Sequence, residues 1–143
     1  MTPLTAVVAS ATRAVSRRAA EAIAGKLGIS PDAFGVLPNG VDAGRYVPAT
    51  ESAANRTRLG LRPDRFVILS VGNLKPIKGH DVLLEAVRHL RGDLGRITLV
   101  LAGEDSLRGT LQDWANRNLP DADIRFVGRQ DDPLSWYQAA DLF

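Results

Sequence analysis

The sequence contains no cysteine, which excludes a disulfide framework and thiolate metal sites. Only two histidines are present, His80 and His89, and two imidazoles cannot build a metal site by themselves. The longest apolar runs, at 66–71 and 97–102, are too short to span a bilayer. These absences are typical of a protein of the reducing cytoplasm, and we expect that location.

Neither sign of charge predominates, because 18 basic and 16 acidic residues leave a formal net charge of only +2. The arginines are scattered and acids are interleaved with them, so no basic stripe marks a nucleic-acid surface and we expect no such partner. Hydrophobic residues make up 45% and charged residues 24% of the 143 residues. This composition is typical of a folded globular domain and not of a disordered chain.

From residue 66 onward, apolar strand segments alternate with helical segments. Strands are predicted at 66–71, 97–102 and 124–127, and helices at 81–91, 107–118 and 133–140. The strand segments are nearly continuous apolar runs, which is typical of parallel strands covered on both faces. The predicted fold class is therefore α/β, with a Rossmann-like parallel sheet flanked by helices.

The first 60 residues predict less regular structure. We expect a strand at 4–9, then a helix capped by Ser10, with an apolar stripe through Ile23 and Leu27, that ends at Gly28. Pro38-Asn39-Gly40 favours a turn, and a short helix over 51–59 follows. At the other end, residues 142–143 look like the start of a further strand, so we expect a truncated chain.

Three loops follow the predicted strands, and open α/β sheets bind ligands where their strands end. In the first loop, Gly72 and Gly79 permit close approach of backbone, Lys78 adds positive charge, and the next helix points its N-terminus at the loop. These features predict a diphosphate cradle. The glycine spacing fits neither a Walker A loop nor a GxGxxG fingerprint. Ordinary surface lysines and a turn glycine remain the alternative interpretation.

The second and third loops contribute Gly103, Glu104, Gly128 and Arg129. Either the acidic pair Glu104-Asp105 binds hydroxyls, or it places negative charge at the start of a helix. Two interpretations also apply to the third loop. Either Gly128 and Arg129 contact the base or phosphate of a nucleotide, or Arg129 is a surface arginine near Asp131 and Asp132.

Other side chains favour structural roles. His80 is interpreted as a helix-start residue, and Trp114 and Trp136-Tyr137 as core residues. No Ser/His/Asp set, paired carboxylates or metal cluster can be assembled from the sequence. The catalytic residues are therefore unknown, and no metal site is predicted.

Six short segments follow one another along the chain: VAS at 8–10, VLPNGVD at 36–42, VGNL with KG at 71–79, LVLAG at 99–103, IRFVG at 124–128 and YQAADLF at 137–143. In their order and spacing they resemble the motifs of family 4 glycosyltransferases of the GT-B type. The resemblance covers nearly the whole chain.

The resemblance implies two Rossmann-like domains separated by a cleft. Residues 1–44 correspond to the end of the N-terminal acceptor domain and the linker, and 45–143 to an incomplete nucleotide-sugar-binding domain. It implies transfer of a sugar from a nucleotide-diphosphate sugar to a glycan, lipid or small-molecule acceptor, with retention and without a metal or other cofactor. Peripheral contact with the cytoplasmic membrane face, through the missing domain, is also implied.

The resemblance assigns the diphosphate to Gly72, Asn73, Lys78 and Gly79, and the nucleoside or sugar to Gly103, Glu104, Gly128 and Arg129. Lys78 matches the lysine of a basic pair that stabilises the leaving diphosphate. Asn73 stands where the family usually has arginine, so one positive charge is missing. The family's acidic segment falls beyond Phe143, and we expect this chain to be inactive alone.

Two alternatives remain from other functional classes. One is a non-catalytic module that binds nucleotide or sugar. The other is a dinucleotide-binding oxidoreductase domain, which the absence of GxGxxG after a first strand disfavours.

Overall fold

The computed structural model describes residues 12–47, 52–90 and 92–143. The strand expected at 4–9 and the cap expected at Ser10 lie outside these ranges. The chain divides into two compact units, Met1–Arg45 and Tyr46–Phe143. Their assignment to an acceptor domain and a donor domain stays a prediction.

In the smaller unit, strands β1 (Thr12–Ala14) and β2 (Phe34–Val36) pair in parallel, and helix α1 (Arg17–Leu27) connects them. The prediction that helix extends back to Ser10 is wrong, since 12–14 is extended. Helix α1 is instead capped by Ser16, whose Oγ accepts the N–H of Ala19 at 3.1 Å. Its end is as predicted, with Gly28 at a φ of 67°.

The face of α1 that packs inward was also predicted wrongly. Ala20 and Ala24 are buried against Phe34, whereas Ile23 and Leu27 are exposed. The small alanines let the helix lie close to the two strands, so packing against β1 and β2 sets its phase.

The turn predicted at Pro38-Asn39-Gly40 is wrong too. Neither Asn39 nor Gly40 has a positive φ. The turn lies at 43–45, where Oδ1 of Asp42 accepts the N–H groups of Gly44 at 3.0 Å and Arg45 at 3.3 Å. The aspartate side chain supplies the acceptor that stabilises the turn at this later position.

In the part of the larger unit that the structure describes, a parallel sheet in the order β3-β4-β5 is accompanied by four α-helices. The strands are β3 (Phe66–Val71), β4 (Ile97–Ala102) and β5 (Asp123–Gly128), and the helices are α2 (Ser52–Arg58), α3 (His80–His89), α4 (Thr110–Asn118) and α5 (Leu134–Ala139). Leu142 bridges Ile68 in parallel, in line with the further strand expected there.

Helices cover both faces of the sheet, as the apolar strands predicted. On β4, Leu99 and Leu101 join a cluster with residues of α3 and α4, and Val100 and Ala102 join one with Trp136 of α5. This alternation confirms the α/β fold class. Within the ranges that the structure covers, no helix has the length and apolar composition needed to cross a membrane.

Helix α4 begins at Thr110, three residues later than predicted, because Asp105 organises the preceding loop. Its carboxylate accepts the N–H groups of Leu107 at 2.7 Å and of Gly109 at 2.6 Å. These bonds hold the segment in a capping loop rather than in the first turn of the helix.

Arg56 ties α2 to α5 and to the start of the sheet. Its guanidinium donates to the carbonyl oxygens of Ala139 at 2.9 Å and Arg65 at 3.3 Å. It also pairs with Oδ2 of Asp141 at 2.6 Å, and that oxygen accepts the N–H of Val67 at 2.7 Å. The aspartate of the YQAADLF segment therefore has a structural partner.

We expect Arg56→Ala to lower the free energy of unfolding of the larger unit by about 2–4 kcal/mol, because it removes the guanidinium group that pairs with Asp141 and donates to two partly buried carbonyl oxygens. Urea unfolding followed by tryptophan fluorescence measures this, since Trp114 and Trp136 both lie in that unit. The control is Arg62→Ala, which removes an exposed pair with Asp64 and should leave the midpoint unchanged. Equal midpoints for the two variants would contradict the role of Arg56.

Candidate functional site

A pocket of about 240 Å³ lies where β3, β4 and β5 end. Residues from the ends of the strands and from the loops that follow them form its walls: Val71, Gly72, Asn73, Ala102, Gly103, Glu104, Arg129 and Gln130. This is the edge of the sheet at which the sequence placed a ligand site.

Backbone hydrogen bonds continue from the sheet into these loops. The N–H of Gly72 donates to Ala102, and the N–H of Gly103 donates to Gly128, each at 2.8 Å. Further along, the N–H of Leu74 donates to Glu104, also at 2.8 Å. The three loops are thus held at a common rim by the same kind of bond that holds the strands.

Gly103 is required by the closeness of the first two loops. A Cβ at this position would lie 2.0 Å from the carbonyl oxygen of Gly72 and 2.9 Å from the nitrogen of Asn73. Both neighbours are backbone atoms, so no side-chain movement could relieve the clash. Only glycine allows this approach.

Lys78 lies in the first loop, after the residues that line the pocket. It ends a short 3-10 turn, Pro76–Lys78, and Gly79 follows at a φ of 68° before α3 begins. The methylene groups of Lys78 pass over Gly72, since a Cβ built there would lie 3.9 Å from Cδ of the lysine. The N-cap residue of α3 is Gly79, which has no side chain that could accept a hydrogen bond from the first turn of the helix. The loop therefore combines a lysine with the positive end of a helix dipole.

Five of the predicted site residues meet in the pocket: Gly72, Asn73, Gly103, Glu104 and Arg129. Gly128 does not line the pocket, but its carbonyl oxygen accepts the N–H of Gly103, which does. Lys78 and Gly79 belong to the first loop but are not among the residues that line the pocket. The roles of all eight toward a ligand stay predictions.

The two acidic residues of the second loop, Glu104 and Asp105, differ in their contacts. Both carboxylate oxygens of Asp105 accept N–H groups of the loop that precedes α4, so this residue organises that loop. Glu104 is exposed and lines the pocket. It is therefore the acid of the pair that is available to a ligand. Arg129 also lines the pocket, and its Nε lies 3.4 Å from Oδ1 of Asp131 on the surface.

Gln130 was missed by the sequence prediction. Its Nε2 donates to the carbonyl oxygen of Val127 at 2.8 Å, and its Oε1 accepts the indole N–H of Trp136 at 3.0 Å. An amide directly after Arg129, at the end of a strand, was the available signal. Val71 and Ala102 also line the pocket without having been predicted.

His80 is the first residue of α3, as its interpretation as a helix-start residue requires. It is only 3% exposed, and its Nδ1 is buried without a hydrogen-bond partner in the described ranges. Burial lowers the pKa of the imidazole; Asp81 opposes that shift and Lys78 reinforces it. The tryptophans pack in the core as predicted, with Trp136 buried and Trp114 half-buried.

Comparison with known families decides what this architecture is. Residues 51–143 match the family model described as "Glycosyl transferases group 1". The chain belongs to this family. The matched range takes in all three strands of the larger sheet and every residue that lines the pocket. Among the described residues, no group of three His, Asp or Glu side chains is arranged to hold a metal.

Relatives in the family are named glycosyltransferases. The D-inositol 3-phosphate glycosyltransferase of Streptomyces bingchenggensis is 34% identical over 95% of this chain and 33% of its own length. That of Streptomyces scabiei is 37% identical over 96% of this chain and 34% of its own length. The chain therefore spans about a third of the length of these relatives.

Solved structures share the fold. Anabaena HepE in complex with UDP and glucose superposes with a TM-score of 0.77 at 23% identity, over 93% of this chain and 36% of that one. WaaG, a glycosyltransferase involved in lipopolysaccharide biosynthesis, gives 0.77 at 22% identity, over 90% and 36%. These matches confirm the prediction of part of a GT-B glycosyltransferase fold.

We expect acidification from about pH 7.5 to about pH 5.5 to destabilise the parent chain more than a His80→Gln variant. The unfolded histidine takes up its proton near its ordinary pKa of 6.5, before the buried one does. Stability is therefore lost as the pH falls through and below that value. Thermal unfolding followed by tryptophan fluorescence measures the change in Tm.

The matched control is His89→Gln, at the exposed far end of the same helix, which should retain the pH dependence of the parent chain. Identical slopes for the two variants would show that burial of His80 has no thermodynamic effect.

Proposed function

We propose that this chain is the donor-binding part of a glycosyltransferase that moves a sugar from a nucleoside-diphosphate sugar to an acceptor. The observation that carries the proposal is the pocket at the ends of three parallel strands, within the segment that matches the family. Anabaena HepE, which shares the fold, is known in complexes with UDP and glucose and with UDP-glucose. Those complexes support a nucleotide-sugar donor here.

In this proposal the first loop binds the diphosphate. The start of α3 and the ammonium group of Lys78 supply donors and positive charge, and the absence of side chains at Gly72 and Gly79 keeps the approach to them open. Negative charge develops on the diphosphate as its bond to the sugar breaks. Lys78 stabilises that charge, which is electrostatic catalysis of leaving-group departure. Asn73 adds amide donors but no charge.

The other two loops bind the nucleoside and the sugar. Adjacent strands are about 4.8 Å apart, so the ends of β3 and β5 are separated by roughly 10 Å, a distance that an extended nucleotide sugar bridges. Glu104 accepts hydrogen bonds from hydroxyl groups, and Gly103 allows the first two loops to lie side by side at this wall. Gly128 and Arg129 form the end of the site at β5.

The proposal extends to the complete enzyme. Transfer proceeds with retention, without a metal or other cofactor, to a glycan, lipid or small-molecule acceptor bound by the other domain. Residues 1–44 end that acceptor domain and form the linker, and 45–143 belong to the donor domain. The enzyme works in the cytoplasm, in peripheral contact with the membrane.

We expect Lys78→Ala to weaken UDP binding to the 143-residue chain about fivefold to tenfold, because one charge beside the diphosphate is lost. Isothermal titration calorimetry measures the Kd, and GDP and ADP are titrated in parallel because the proposal does not specify the base of the nucleotide. Addition of EDTA should leave the Kd unchanged. The control is Arg117→Ala, which removes the same charge at the last turn of α4 and should have no effect. Failure of the parent chain to bind any of these nucleotides would refute the proposal.

We expect Asn73→Arg to tighten UDP binding about threefold to tenfold, since it adds the positive charge that the family usually carries at this position. Because exposed charges are screened, the gain should shrink as salt is raised. Calorimetry at low and high salt tests this, with Asn73→Gln as the uncharged control. A gain that is absent, or equal in both variants, would show that residue 73 does not face the diphosphate.

A further inference from the structure

The third loop of the pocket is held from behind by a tryptophan. Trp136, on α5, is 8% exposed, and its indole N–H donates to Oε1 of Gln130 at 3.0 Å. The same amide donates through Nε2 to the carbonyl oxygen of Val127 at 2.8 Å. An indole N–H can only donate and a carbonyl oxygen can only accept, so the two bonds together determine which way the amide faces.

Gln130 still has hydrogen-bonding capacity after these two bonds. A carboxamide has two N–H donors and two oxygen lone pairs, and one of each is used inside the protein. Gln130 also lines the pocket. The pocket wall therefore carries a neutral donor and acceptor whose orientation is set before a ligand arrives.

The chemistry of this wall differs from that of the first loop. A diphosphate is a charged acceptor and is matched by Lys78 and the start of α3. A neutral amide instead matches groups that both donate and accept, such as the polar edge of a base or the hydroxyls of a sugar. The other polar side chains of the pocket, on Asn73, Glu104 and Arg129, are exposed. Gln130 is half-buried and bonded at both ends of its amide.

We infer that Trp136 is a positioning residue for this pocket: its indole N–H orients Gln130 toward the uncharged part of the nucleotide sugar. This inference rests on the proposed function. Without the indole N–H, the amide is free to rotate about its last side-chain bond. The ligand must then offset the cost of ordering it, and binding weakens.

Trp136→Phe removes the N–H and keeps an aromatic ring in the core. We expect the Kd of the 143-residue chain for UDP, for UDP-glucose or for both to rise about fivefold to tenfold. An increase with UDP assigns the contact to the nucleoside, and an increase confined to UDP-glucose assigns it to the sugar. Binding of pyrophosphate, which lacks both parts, should be unchanged. Unchanged affinity for both nucleotides, or an equal loss with pyrophosphate, would overturn the inference.

Trp114→Phe is the matched control. Trp114 packs against the cluster on the other face of the sheet, and its indole N–H donates no hydrogen bond to a described residue. This variant should bind UDP and UDP-glucose as the parent does. If it weakened binding as much as Trp136→Phe, general loosening of the core would explain both, and the specific role of Trp136 would be rejected.

Gln130→Leu changes the pocket wall directly and tests whether Trp136 acts through Gln130. It should weaken binding by itself, and adding Trp136→Phe should cause little further loss, because both changes remove one contact. Fully additive losses would mean that Trp136 does not act through Gln130. If Trp136→Phe does not fold, the indole ¹⁵N–¹H resonance of Trp136 in the parent chain decides. It should shift on addition of UDP-glucose and on Gln130→Leu, while that of Trp114 stays in place; a static Trp136 resonance overturns the inference.

The two levels of proposal fail differently. If the parent chain binds no nucleotide, the proposed function is rejected. If the parent chain binds nucleotide and the Trp136→Phe variant binds it equally tightly, only the inferred role of Trp136 is rejected.

Discussion

The close approach of the first two loops, at Gly72 and Gly103, is the constraint on which the pocket depends. With a hypothetical Cβ of residue 103 only 2.0 Å from a backbone oxygen, the two chains could not run side by side with any other residue there. The approach lets hydrogen bonding continue past the strand ends, from Gly72 to Ala102 and from Gly103 to Gly128. Three loops that are distant in sequence thereby become one rim with a common set of backbone and side-chain groups.

The two edges of the sheet use charge differently. At the edge where the strands begin, Asp123 accepts from Thr98 and Arg125 and lies 3.3 Å from Arg65. Burial acts to raise the pKa of Asp123, but these hydrogen bonds and positive charges outweigh it, so the pKa is lowered. The carboxylate of Asp123 therefore has its partners within the fold. At the opposite edge, Lys78 and Glu104 are exposed beside a pocket, which makes their charge available for binding.

Local patterns predicted the larger unit well. The bounds of β3 and β4 agree with the prediction to the residue, because each is a continuous apolar run. The smaller unit was harder, since Ser10 and Ser16 both resemble helix caps, and contacts with Phe34 select the buried face of α1. In the pocket, glycines and charged residues at strand ends were visible in the sequence. Gln130 was not, because its role depends on a tryptophan contributed by the next helix.

By itself, the sequence determined the alternation of strands and helices, the edge of the sheet at which a candidate site was expected, and the resemblance to glycosyltransferases. These follow from periodicity and short motifs, which are properties of neighbouring residues. Only the tertiary structure decided that Asp105 caps a loop while Glu104 lines the pocket, and that Trp136 holds Gln130. Each of these depends on which donor meets which acceptor once the chain has folded, and a linear pattern of residue types does not specify that pairing.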